Sequence, residues 1–154
     1  KCLRASRGRF MRVEPIGIIR TPYTNKSEAP GYSMRSRASG RIIVHKKYEK
    51  GLRDIDGFSH IMVVFRFHRS RGYRLMLKPF AGNRQRGLFA TRAPRRPNQI
   101  GVSVVRLIRR RRNVLYVEGV DMLDQTPLLD IKPYIPERIP KRNVRIGWLK
   151  GIKR

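Results

Sequence analysis

Apolar positions in this chain come in short extended bursts separated by turn-forming residues, and nowhere do they recur with the period of an amphipathic helix. Val13 to Arg20 reads as a strand, closed by Thr21-Pro22. Arg41 to His45 and Phe58 to His68 follow, the second rich in Phe, Ile and Val, which favour a pleated surface. Leu88 to Thr91, Val102 to Ile108 and Val114 to Val117 bring the extended segments to at least six, with Arg109 to Asn113 as a tight connection between the last two. Tyr48 to Leu52 fits a short helical turn. Asn25 to Gly40 is polar and broken by Pro30-Gly31, so it is expected to be a long loop, a kind of segment that in small domains commonly carries function. No helix of any length separates the strands. That disfavours parallel βαβ units and predicts an all-β fold, a small barrel or sandwich with few short helical turns.

At 154 residues the chain has the length of one compact domain, so a single site is expected. Residues 1–12 read as a basic N-terminal tail and 13–154 as the folded unit. The 37 Lys and Arg against 10 Asp and Glu give a formal charge of +27, a field that attracts polyanions, with nucleic acid first among them. Cys2 is the only cysteine, which excludes an internal disulfide and a thiolate metal cluster and fits a reducing, cytoplasmic setting. The longest aliphatic and aromatic run, Ile61 to Phe65, is far shorter than the ~20 residues of a membrane helix, so no membrane partner is expected.

Chemistry concentrates in two stretches. Thr91 to Gly101 holds Arg92, Arg95, Arg96 and Asn98 in a loop whose backbone is fixed by Pro94 and Pro97, and guanidinium forks suit carboxylate or phosphate. The same arginines would equally serve a rigid, solvated connection. Gly119 to Tyr134 contains three of the ten acids within ten residues, Asp121, Asp124 and Asp130. These are suited to ribose hydroxyls or an ammonium, or else to capping turns and pairing with arginine. His45, His60 and His68 match no zinc spacing, and no metal site is expected. In one regular strand His60 and His68 would share a face. The P-loop, the GxSxG elbow and the Rossmann glycine pattern are all missing from the sequence. The Arg109-Arg110-Arg111-Arg112 run is either a solvated turn or a phosphate contact.

Five ordered blocks together resemble one family. They are Pro15-Ile16-Gly17 with Arg20 and Pro22; Gly57-Phe58-Ser59-His60 through Phe65, Phe67 and His68; Gly87 with Phe89-Ala90-Thr91-Arg92; Arg96-Pro97-Asn98 with Ile100-Gly101 and Ser103; and Asp121 through Leu129-Asp130-Ile131-Lys132-Pro133-Tyr134. Over nearly all of residues 13 to 136 the chain resembles the TrmO or TsaA family, in its short, archaeal-like form. The resemblance implies a single-sheet β-barrel, usually a homodimer, that binds S-adenosyl-methionine without a Rossmann domain. It also implies methylation of N6 of N6-threonylcarbamoyladenosine beside the anticodon of threonine tRNA.

Carried onto this sequence, the resemblance places cofactor contacts at Pro30, Gly31, His68, Arg69, Arg92, Val102, Gly119, Val120 and Asp121. Arg92 would clamp the cofactor carboxylate, and Asp121 would take its ribose or ammonium. His60 or His68 is the right type of group to accept the N6 proton. Arg95, Arg96 and Arg109 to Arg112 would hold tRNA phosphates. Two departures stand out: Gly31-Tyr32 follows Pro30, and Gln99 replaces a usual proline, which should loosen the Arg-rich loop. The competing expectation is a non-catalytic, basic RNA-binding protein on the same barrel.

Overall fold

A computed structural model describes residues 12–30, 36–80, 82–138 and 144–150. It contains eight strands: β1 (Gly17–Arg20), β2 (Ser39–Val44), β3 (His60–Arg66), β4 (Met76–Leu77), β5 (Arg86–Gly87), β6 (Ile100–Arg111), β7 (Val114–Glu118) and β8 (Thr126–Pro133). Six of them close into one antiparallel barrel in the order β1-β2-β7-β6-β3-β8, while β4 and β5 form a separate two-stranded ribbon. The all-β barrel expected from the sequence is what the chain builds. Among the described residues the helical elements are single 3-10 segments, the longest being Lys46–Leu52, where a helical turn is expected.

Alternation explains the barrel. Along β3, Ile61, Val63 and Phe65 point inward and are buried, while the residues between them face out. The same period puts Ile19, Ile42, Val44, Val105, Leu107, Leu115, Val117 and Leu128 into one core. Gly101 sits opposite Phe65, and a Cβ there would lie 2.5 Å from two atoms of that ring. Its lack of a side chain is what lets Phe65 and Phe67 pack edge to face, 5.2 Å apart, across the barrel mouth.

Several expectations from sequence change. Leu88–Ala90 is a 3-10 turn rather than a strand, closed by the Thr91 amide and hydroxyl, which both donate to the Leu88 carbonyl at 3.0 and 2.8 Å. The run Arg109 to Arg111 stays in β6, and the connection is only Arg112-Asn113, with Arg112 at φ 54°. β3 ends at Arg66, so His60 and His68 do not share a strand face. β8 has no counterpart among the expected strands.

Because every pairing is antiparallel, the ends of β1, β3 and β7 and the starts of β2, β6 and β8 lie at one mouth of the barrel. The connections 21–38, 67–99 and 119–125 therefore gather there. The β6–β7 hairpin and the connection 45–59 gather at the other mouth. The closed ring leaves its six strands no unpaired edge.

Candidate functional site at one mouth of the barrel

Four side-chain links tie the three connections to one another or to the strands at this mouth. Asp124 clasps the first to the third: its Oδ1 accepts the Arg20 Nε–H at 2.9 Å and the Thr21 amide at 3.0 Å. The Thr21 hydroxyl answers by donating to the Met122 carbonyl at 2.9 Å. Burial acts to raise the Asp124 pKa, but the Thr21 amide and the Arg20 guanidinium outweigh it and hold the carboxyl below its ordinary value. Asp124 is thus a clasp rather than a ligand group. Arg69 ties the second connection to the first by donating from Nη1 to the Thr24 carbonyl at 2.6 Å. Beside it, Glu28 accepts from Asn25 and from the Thr24 amide and is also held below its ordinary pKa.

The third link reaches into the barrel. Ser103, inward-facing on β6 and buried, donates to Asp121 Oδ1 at 2.7 Å. The bond fixes the Asp121 carboxyl on the third connection. The fourth link is between His68 and Thr126. The Thr126 hydroxyl donates to the Leu123 carbonyl at 2.7 Å, so its oxygen can only accept from His68 Nδ1, 3.3 Å away. That assigns the Nδ1–H tautomer and leaves Nε2 as the ring's proton acceptor. Burial, followed by the Arg69 charge, lowers the His68 pKa from 6.5, against smaller opposing effects of the Arg66 backbone and Asp124. The imidazole is therefore neutral at neutral pH.

The other candidate residues separate. Arg92 and Arg95 are exposed on the 67–99 connection at the same mouth. Arg96 is half-buried and holds the loop in shape, donating from Nη1 to the Thr91 and Ala93 carbonyls at 3.0 and 3.3 Å. Gln99 fastens the loop rather than loosening it. It sits at φ 40°, which proline cannot adopt, and its amide donates to the Ser70 carbonyl at 2.7 Å. Val120 is fully buried against Gly40, and its N–H and that of Gly119 both point to the Ala38 carbonyl. Val102 faces outward on β6, half exposed, away from Ser103. Pro30 is half-buried in the first connection, and Gly31 lies outside the described residues.

His60 and the arginine run belong to the opposite mouth. His60 starts β3, about 20 Å of strand from its end. Its Nδ1 is 3.0 Å from the Ser59 hydroxyl, and its ring meets Tyr134 edge-on at 6.4 Å. Arg109 is exposed and stacks over Tyr116 at 4.2 Å, Arg110 is half-buried and donates to the Arg112 and Leu52 carbonyls, and Arg111 and Arg112 are exposed. Among the described residues no group of three or more His, Cys, Asp or Glu stands close enough to hold a metal ion. No helix among them is long and apolar enough to cross a membrane.

The connections at this mouth carry the exposed guanidinium of Arg92, the Asp121 carboxylate held by Ser103 and a neutral imidazole. A guanidinium suits a carboxylate, and a carboxylate suits hydroxyls or an ammonium. Comparison with known proteins points the same way. A family model described as the tRNA-methyltransferase O N-terminal domain matches residues 18–138. A probable S-adenosyl-L-methionine-binding protein of Pyrococcus abyssi is 47% identical over 137 residues, 88% of this chain and 74% of that protein. The tRNA (adenine(37)-N6)-methyltransferase of Escherichia coli is 36% identical over 134 residues, 80% of this chain and 57% of its own length. A crystal structure of TrmO from Pseudomonas aeruginosa superposes with a TM-score of 0.77 at 34% identity, covering 90% of this chain and 62% of that one. This chain accordingly spans little more than half the length of those bacterial relatives. With the blocks, the barrel and these matches in agreement, the chain belongs to the tRNA-methyltransferase O N-terminal domain family.

Proposed function

We propose that this chain is an S-adenosyl-methionine-dependent methyltransferase that methylates N6 of N6-threonylcarbamoyladenosine beside the anticodon of threonine tRNA. The observation that supports this reading is that the connections carrying Arg92, Asp121 and His68 start and end at one mouth of a barrel whose relatives are named as cofactor-binding proteins and tRNA methyltransferases. When bound, the cofactor supplies a methyl group on a sulfonium that carries its own leaving group. The protein's task is then alignment and proton transfer. Arg92 holds the carboxylate, and Asp121 accepts hydrogen bonds from the ribose or ammonium. His68 Nε2 takes the N6 proton, which the carbonyl substituent on that nitrogen makes more acidic than in plain adenine. Thr126 acts through His68, as the group that fixes its tautomer.

The test is mass spectrometry of threonine tRNA nucleosides after incubation with protein and cofactor. Appearance of the N6-methylated nucleoside supports the reading. Tight RNA binding without methylation, and no heat on titration with S-adenosyl-methionine, would replace it by the RNA-binding alternative.

His68 sets the expected pH dependence. A group whose folded pKa is depressed contributes stability that is present above the unfolded value of 6.5 and is lost as pH falls through the folded pKa. The same protonation removes the acceptor. kcat/KM should therefore hold down to pH 6.5 and fall below it. His68→Asn should abolish that acid limb, and His60→Gln should leave it in place. An acid limb that survives His68→Asn and vanishes in His60→Gln would transfer the role to His60.

We also propose a cytoplasmic homodimer paired through the outer face of β6. There Ile100, Val102 and Ile108 are 42, 50 and 50% exposed, three apolar side chains on the outer face of one strand. Light scattering should give about twice 18.1 kDa, and Val102→Glu should halve that mass. A monomeric wild type would refute the pairing.

A further inference from the structure

From Gly57 to Val117 the chain carries fifteen Arg and Lys and not one Asp or Glu. Nine of these cations fall between Phe67 and Gln99, eight of them arginine, on the segment that carries the β4–β5 ribbon. The same segment exposes five large apolar side chains, Tyr73, Leu75, Met76, Phe80 and Phe89, in a protein that buries such groups in its barrel. Phe80 is the extreme case, wholly in solvent at the tip of the ribbon, in a turn closed by the Gly82 amide on the Pro79 carbonyl at 3.3 Å. Tyr73 is 53% exposed near the base.

The base of the ribbon is fixed. Leu88 is buried, its amide donates to the Leu75 carbonyl at 2.8 Å, and Gln99 holds Ser70. The Trp148 indole donates to the Ala90 carbonyl at 2.8 Å, with the Arg86 guanidinium 5.3 Å from its ring. Rings are thus presented on a braced, acid-free arm.

Resting on the methyltransferase reading, we propose that the ribbon is a stacking platform for unpaired bases of the substrate RNA. In it Phe80 and Tyr73 take base faces, and Arg71, Arg74, Lys78 and Arg84 take the phosphates between them. Interleaved aromatic rings and cations are what a single strand requires, because every base has a π-face and every linkage a charge. A duplex keeps its base faces stacked inside and would gain nothing from the rings. Arginine in place of lysine favours planar phosphate contacts and stacking over simple attraction to an anionic surface. The location agrees, since the ribbon springs from the mouth that holds Arg92, Asp121 and His68. The Arg109 to Arg112 hairpin lies at the far mouth, where two of its four guanidiniums are already engaged.

The experiment is fluorescence anisotropy on the full chain with three probes: a labelled single-stranded oligoribonucleotide of anticodon-loop length, the same sequence in a duplex, and phosphatidylserine vesicles. Phe80→Ala should weaken binding of the single strand about 5- to 150-fold, since base stacking is worth roughly 1–3 kcal/mol per base. It should leave duplex binding and S-adenosyl-methionine affinity unchanged, and Phe80→Tyr should restore the loss. Charge reversal at Arg74 and Lys78 should flatten the salt dependence of single-strand binding, whereas reversal at Arg111 and Arg112 should not. Wild-type affinity in Phe80→Ala overturns the proposal, as does a loss confined to vesicle binding, which would make the arm a membrane contact. If Phe80→Ala methylates tRNA with an unchanged KM, the platform fails and the methyltransferase stands. If wild type methylates nothing yet Phe80→Ala still loses single-strand affinity, the reverse holds.

Discussion

Replacing Arg92 and Asp121 together by alanine should weaken S-adenosyl-methionine binding by roughly two to four orders of magnitude. Each loss removes a hydrogen bond to a charged group, worth about 1.5–3 kcal/mol, and the two residues are assigned to different groups of the ligand, so to a first approximation their effects add. Arg92 is exposed, so its loss should leave the fold intact. Asp121 is different, because Ala at that position strands the buried Ser103 hydroxyl, at a cost of about 1–3 kcal/mol. Asp121→Asn separates the two roles: its amide oxygen still accepts from Ser103, while the charge is gone. Calorimetric titration of the folded variants measures the affinities. A double variant that binds the cofactor like wild type would remove both residues from the site.

The second large effect concerns the barrel wall. Ile61 on β3 is wholly buried, and its strand is hydrogen-bonded to β6 on one side and β8 on the other. Ile61→Ala should cost about 2–5 kcal/mol, the transfer term plus the cavity left in a wall that cannot collapse without distorting two ladders. That is a large share of the roughly 5–15 kcal/mol by which domains are stable. Arg41→Ala, removing an exposed side chain from the outer face of β2, should cost far less. Denaturant midpoints at equal slope give both numbers. Equal losses would mean that inside and outside are wrongly assigned.

β3, β6 and β7 were visible in the sequence as short apolar bursts, although the unbroken run Ile61 to Phe65 does not mark which of its side chains face inward. β8 was not, because Thr126-Pro127-Leu128-Leu129-Asp130-Ile131-Lys132-Pro133 begins and ends near prolines and carries two charges. Pro127 is tolerated beside Ile18, and an irregularity opposite Val64 and Phe65 resets the alternation midway, erasing the pattern. The 3-10 turn at Leu88 was hidden for another reason, as its hydrogen bonds come from Thr91 and not from apolar spacing.

The site was legible in its residue types and only partly in its geometry. The resemblance drew Arg92, Asp121 and His68 to one cofactor, and the closed topology brings their loops to one mouth. Pairing His60 with His68 rested on an unbroken strand, and the strand stops at Arg66. Asp124 and Asp121 look alike in sequence. Only the fold gives the first to Arg20 and Thr21 and the second to Ser103. Gln99 looked like lost rigidity because a positive φ cannot be read from a single glutamine.

The ring closes where β1 meets β8, pairing Gly17 with Leu128 and Ile19 with Thr126. Those partners stand more than a hundred residues apart, so the last ladder to form carries a large chain-entropy cost before it returns any hydrogen bonds. Topologies of this kind fold slowly, on the millisecond-to-second scale rather than in microseconds. Until closure, β1 and β8 each expose a free edge on a nascent chain whose charge discourages self-association but invites RNA. Afterwards no strand can peel away without breaking two ladders at once, so the finished barrel should be protected by the slowness of its opening as much as by its depth in free energy.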